Sequence, residues 1–241
     1  RLGVEHLDDA KASLDEALRL DPEGSQHHAR LGEFHRVLAM TEGEKRAEHL
    51  QAAEVCLREA HRIDPNHARI QVSLATVLLD LEGDLEQAQW LLKKASKRFE
   101  TADALVQQAR LRIHQGALED VERLLERATK KEPSNHAAFS ARAEFWMAQG
   151  QIFHAFEALK TARERSPKGC PERVMYELLM QKLGAASALA YNCAKICGAK
   201  IIDTTAKYST RLRSLKLAEP KPCSTCRPPH GLGKRTTNAI G

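Results

Sequence analysis

The sequence predicts an all-α fold, an α-solenoid of stacked helix-turn-helix units with a C-terminal helical extension and a disordered tail. Three observations carry that expectation. Pro65, Pro133 and Pro167 stand 68 and 34 residues apart, two units and one unit of a single 34-residue period. Ahead of each proline the same apolar spacing recurs. Aromatic residues make up only 5% of the chain and glycines number 13, which favours helices over a sandwich or barrel. A helix-turn-helix unit of this length cannot bury its apolar face alone, so its neighbours must stack on it and create an extended groove. Binding rather than catalysis is the expected consequence.

The second helix of each unit is the clearer one. An apolar residue is followed four residues later by leucine, then three later by alanine, then five later by proline. The instances are Ala10, Leu14, Ala17, Pro22; Ala53, Leu57, Ala60, Pro65; Val121, Leu125, Ala128, Pro133; and Ala155, Leu159, Ala162, Pro167. The third unit in chain order runs Ala88, Leu92, Ala95 and then Glu100, where proline is missing. Steps of four and three place these side chains on one helical face. Alanine belongs where two helices approach closely, leucine fills the layer between units, and proline stops the helix because it lacks an N–H and disfavours a helical residue before it.

Each second helix has a matching first helix, marked by Leu31-Gly32, by Leu74-Ala75 with Leu78, by Leu105 with Ala109, and by Phe139 with Ala143 and Trp146. Gly116 and Gly150 are expected to end two of these helices in the left-handed conformation. From Pro22 to Pro65 is 43 residues, nine more than a period. The excess falls around Met40 to Arg46 and should either lengthen both helices or form a surface loop. Beyond Pro171, one amphipathic helix is expected to Lys182, with Val174 and Leu178, Met175 and Leu179 paired at spacing four and Leu183-Gly184 closing it. Residues 185–217 are Ala-rich and should be helical in one or two pieces, and from Ala218 the Pro- and Gly-rich sequence is too apolar-poor to fold alone. The expected organisation is an array over 1–168 with an incomplete first unit, an extension over 169–217 and a tail over 218–241. Starting at Arg1 in mid-unit, the sequence is expected to be part of something longer.

These residues resemble tetratricopeptide repeats. The match is fullest from His136 to Pro167, where Phe139, Ala143, Trp146, Gly150, Ala155, Leu159, Ala162 and Pro167 all fill the family's positions. The resemblance implies a concave groove lined by first helices, in which segments of protein partners bind. Carried over by position, that face is Gln26, Ala29, Glu33, Arg69, Val72, Thr76, Asp103, Val106, Arg110, His114, Ser140, Glu144 and Met147. The chaperone-binding members grip a terminal carboxylate with a Lys, Asn, Asn, Lys, Arg set. Here the matching positions hold Ala29, Glu33, Ser73, Asp103 and Gln107, so chaperone-tail recognition is not expected and a segment of mixed character is.

The net charge of +5 is an uneven average. Residues 1–194 carry 27 Lys and Arg against 30 Asp and Glu, whereas 195–241 carry 10 against 2. The basic end defines the alternative function, binding of RNA or of an acidic surface by neutralising phosphates. With Tyr208 nearly its sole aromatic, it lacks the platform that bases stack on. Cys193 and Cys197, with Cys223 and Cys226, form a weak zinc-ligand candidate, since thiolates at spacings of four and three can share an ion. Cys is otherwise a small buried residue or an adventitious thiol, and no metal or other cofactor is expected. Six cysteines, unevenly placed, do not make a disulfide scaffold, and a cytoplasmic or other reducing compartment is expected. No phosphate loop or nucleophile elbow occurs, so an enzyme is not expected. No stretch is long and apolar enough to span a membrane.

Overall fold

The computed structural model describes residues 4–197, with side chains over residues 7–184. The Cys223/Cys226 pair, the tail over 218–241 and the helix expected to Leu217 lie outside these residues, except for the stretch to Cys197. Cys193 and Cys197 lie on a helix, outside the described side chains.

The described residues form ten α-helices and no strand. In chain order they are α1 (Val4–Leu20), α2 (Ser25–Thr41), α3 (Arg46–Ile63), α4 (Ala68–Asp80), α5 (Leu85–Arg98), α6 (Ala102–His114), α7 (Val121–Lys131), α8 (His136–Ala148), α9 (Ile152–Arg165) and α10 (Pro171–Cys197). Helices α2/α3, α4/α5, α6/α7 and α8/α9 pair as antiparallel units. The first helices α4, α6 and α8 also pack side by side, forming the inner layer of a solenoid.

The repeating residues build the seams between helices. Ala53, Leu57 and Ala60, Ala88, Leu92 and Ala95, Val121, Leu125 and Ala128, and Ala155, Leu159 and Ala162 are all buried. Each leucine contributes about 2 kcal/mol on leaving water. In α1, Ala10 is exposed and Leu14 and Ala17 are half-buried, because that helix packs chiefly on α2 among the described residues. At the small-residue position of α2, a methyl added to Gly32 would stand 2.6 Å from Leu57 Cγ. Hydrogen on Gly32 therefore lets α2 and α3 approach. Ala75, Ala109 and Ala143 fill the same position in the later units and are fully buried.

Helix ends repeat with the same period. The N–H groups of Gly83, Ala117 and Gln151 return to the carbonyls of Leu78, Arg112 and Trp146 at 2.9, 2.9 and 2.8 Å, closing three first helices with one motif. Gly116 and Gly150 sit in the left-handed region there, both at φ 73°, as the glycine positions require. Glu82 occupies the equivalent place after α4 with φ 51°. The nine-residue excess lengthens the helices: α2 has 17 residues and α3 18, against 13 and 14 in α4 and α5, with a 3-10 turn at Gly43–Lys45 between them.

Two expectations about α10 are corrected. Helix α10 runs through Gly184 to Cys197 instead of closing there. A lone glycine inside a helix costs only about 1 kcal/mol, and the Ala-rich stretch after it propagates the helix. Its buried seam is Tyr176 and Leu183, seven residues apart, whereas Val174 and Leu178 are exposed. Helix α10 packs on α9 and also meets α2, so the array curls far enough to bring its last described helix back to its second.

Candidate partner-binding groove

The curl encloses a concave groove of about 1730 Å³, walled by first helices α2, α4, α6 and α8 and by the start of α10. Side chains at i, i+3 and i+4 on each of these helices face inward, which is why one register position per unit supplies the lining. Val72, Val106 and Met147 are buried in its floor, while Phe99, 69% exposed, stands in its wall at the end of α5. The lengthened α2 adds Val37 and Met40 to the groove, and Arg46 follows from α3.

The charged lining is a set of internal ties. Arg110 donates from one nitrogen to Asp80 Oδ1 at 2.9 Å, from Nε to Glu144 Oε2 at 3.1 Å, and from Nη1 to Gln107 Oε1 at 3.2 Å. One guanidinium thus clasps α4, α6 and α8. Burial works against its charge, but Glu144 and then Asp80 outweigh that, and the Arg110 pKa is raised. Arg69 lies 3.5 Å from Glu33, which also accepts from Ser73 Oγ at 3.2 Å. Asn135 caps α8 by accepting from the Ala138 N–H at 3.1 Å and donates its amide to Asp103 and Glu132 at 2.9 and 3.0 Å.

At the far wall His136 Nδ1 and the Tyr176 hydroxyl share a 2.9 Å hydrogen bond. Burial, then the charge of Glu172, raises the Tyr176 pKa, so the phenol stays neutral. Glu172 accepts from Cys170 Sγ at 2.7 Å and lies 3.7 Å from Arg36 on α2. Burial disfavours its charge, yet the Cys170 bond and Arg36 win, and its pKa is lowered.

Of the residues expected from the register, Glu33, Arg69, Val72, Thr76, Asp103, Val106, Arg110, His114, Ser140, Glu144 and Met147 line this groove. Gln26 and Ala29 do not. They face a smaller depression beside it, shared with Glu33 and Arg69, where Gln26 Nε2 meets His67 Nε2 at 2.6 Å. Sequence reasoning missed Arg36, Asp80, Asn135, Glu172 and Tyr176. A signal for Asp80 existed: it precedes Arg110 by 30 residues, and Glu144 follows Arg110 by 34, so opposite charges come almost one period apart.

The groove contains six arginines and eight carboxylates. All six arginines are engaged within the protein. Beside Arg36, Arg69 and Arg110, the side chains of Arg46, Arg98 and Arg165 donate to the carbonyls of Ala39, Asn66 and Pro133. Among the described residues, Asp64, Glu82, Asp103 and Glu132 have no ion-pair partner, and neither do Arg46, Arg98 and Arg165, so with eight carboxylates against six arginines the lining keeps an acidic excess.

Stacked helix pairs around a concave lining define a groove-presenting α-solenoid. The particular kind is the tetratricopeptide-repeat fold, which follows from the 34-residue register of its buried alanines and helix stops. The fold is similar to that of PilW, a widely conserved type IV pilus biogenesis factor, with 19% identity, TM-score 0.53, and coverage of 84% of this chain and 90% of that one. It is also similar to human IFIT1, solved as a dimer with PPP-AAAA, with 20% identity, TM-score 0.61 and coverage of 80% of this chain. The chain spans 45% of the IFIT1 chain. A tetratricopeptide repeat protein from Parabacteroides merdae is similar over 85% of this chain with TM-score 0.49 and 16% identity. No family model and no curated protein sequence matches the chain. Among the described residues no helix is long and apolar enough to cross a membrane.

Proposed function

We propose that the chain is a protein-interaction scaffold that holds an extended segment of a partner protein in its concave groove. The observation that carries this reading is the lining itself, an apolar floor flanked by carboxylates that outnumber the arginines, four of them without an ion-pair partner among the described residues. Apolar contact supplies affinity in such a groove and the charged positions select the partner. A segment of apolar residues interspersed with Lys or Arg fits that pattern. The partner contacts assigned to Glu33, Asp103, Ser140 and their neighbours are part of this proposal.

The experiment is a pull-down with the full chain and with its Asp103→Lys, Glu132→Lys variant. Both positions are exposed, so the fold should survive. Proteins retained by the parent and lost by the variant support the groove reading, and an unchanged retained set overturns it. The RNA reading has one favourable observation, the solved IFIT1 complex with PPP-AAAA, together with the basic end of this sequence. The groove of this chain suits it poorly, because a polyanion would meet more carboxylates than arginines there.

A further inference from the structure

We propose that the basic segment 198–241 of this chain docks into the concave groove and occupies it until a protein partner displaces it. The inference rests on the groove being a peptide-binding surface and adds its resident occupant. Charge complementarity is the first argument. Residues 198–241 hold nine Lys and Arg against Asp203 and Glu219. The groove offers Asp64, Glu82, Asp103 and Glu132 without ion-pair partners among the described residues. Opposite fields of this kind raise encounter rates and set register.

The second argument is the run Arg211-Leu212-Arg213-Ser214-Leu215-Lys216-Leu217, which interleaves three cations with three leucines. The lining of the groove contains the same two complements, the carboxylates of Asp103 and Glu132 and the apolar Phe99, Met175 and Leu179. Reach is the third. Leu179 is the last residue of α10 in the groove wall, and the described helix continues 18 residues to Cys197, about 27 Å. The 14 residues from 198 to 211 can span up to about 45 Å, enough to return Arg211 to the groove. A tethered segment also enjoys an effective concentration on the order of millimolar, so even a weak complement stays bound and a stronger partner can still compete.

The test places a photo-crosslinker in the groove of the full chain by Phe99→p-benzoylphenylalanine, a position exposed enough to accept it. Equal amounts of isotope-labelled and unlabelled chain are mixed, irradiated and mapped by mass spectrometry. The expected result is crosslinks to residues 198–241 within single copies. Their yield should fall about tenfold in an Arg211→Glu, Arg213→Glu, Lys216→Glu variant and in 0.5 M salt. Crosslinks that join labelled to unlabelled chains overturn the proposal in favour of exchange between copies. Absence of crosslinks to 198–241, or a yield indifferent to charge reversal, also overturns it. So does a chain that retards single-stranded RNA through this segment while giving no crosslink without RNA. Loss of the proposal by any of these routes leaves the pull-down comparison at Asp103 and Glu132 intact, so failure of the occupant and failure of the groove are read separately.

Discussion

Arg36 on α2 and Glu172 on α10 lie 3.7 Å apart although 136 residues separate them in sequence. Their side chains are 26% and 25% exposed, so this ion pair is shielded more than a surface pair, and it joins the two ends of the curl. In a solenoid each unit touches only its neighbours by default. This contact adds a tie across the groove mouth. Glu172→Gln should cost less than about 1 kcal/mol in global stability, yet it should widen the array. Small-angle scattering of the variant at neutral pH should give a larger radius of gyration than the parent. An identical scattering curve would show that the tie carries no shape.

The pH dependence of that tie has a definite sign. The Glu172 pKa is lowered in the folded chain, so its contribution is present above the ordinary carboxylate value of 4.5 and is lost as pH falls through the lower folded value. Acid should open the parent array, and the Glu172→Gln variant should respond less over the same range.

Arg110 ties three helices of the groove wall, so its removal should be costly. Arg110→Ala leaves Asp80 and Glu144 facing one another in a half-buried site without their cation, and should destabilise by about 3 kcal/mol in urea unfolding. Combining Arg110→Met with Asp80→Asn and Glu144→Gln removes the uncompensated charges and should recover most of that loss.

The left-handed stops give a pair of opposite effects. Gly116→Ala meets no neighbour within 4 Å, so its cost is conformational alone, about 1 kcal/mol at φ 73°. Glu82 already bears that strain at φ 51°, and Glu82→Gly should stabilise by up to about 1 kcal/mol. Thermal melting of the two variants should shift in opposite directions.

His35 makes the α2/α3 pair sensitive to mild acid. Burial, then the nearby His49 and Lys11, lowers its pKa below the ordinary 6.5 against the weaker pull of Asp15, and its Nδ1 has no hydrogen-bond partner among the described residues. The neutral ring stacks on His49 with centroids 6.0 Å apart. Stability from this site is present above pH 6.5 and declines as pH falls toward the folded value. His35→Phe should flatten the dependence of melting temperature on pH in that window.

What could be read from the sequence was whatever repeats. The Ala53, Leu57, Ala60 spacing and its later copies located the seams, because packing between like units forces like residues into register. Gly116 and Gly150 announced their turns, but Glu82 did not, since a long charged side chain carries no backbone signature. Groove positions followed from the register in α4, α6 and α8 and failed at Gln26, where α2 begins the lengthened unit. The Arg36–Glu172 contact was illegible because it joins residues with no periodic relation. Gly184 reads as a stop between two helical pieces, yet the cost of one glycine is small and α10 continues through it into the alanines.

Glu100, standing where the other units have proline, changes how two units are fastened. In the neighbouring units a basic side chain of the next second helix reaches the proline's carbonyl, Lys94 to Pro65 and Arg165 to Pro133. At Glu100 the acceptor is instead the side-chain carboxylate, held by Arg127 and by Lys131 at 3.4 Å. A dipole has been exchanged for a full charge at a solvent-reachable joint. Dissolved ions therefore screen this joint more strongly than its neighbours, so rising ionic strength should loosen it first.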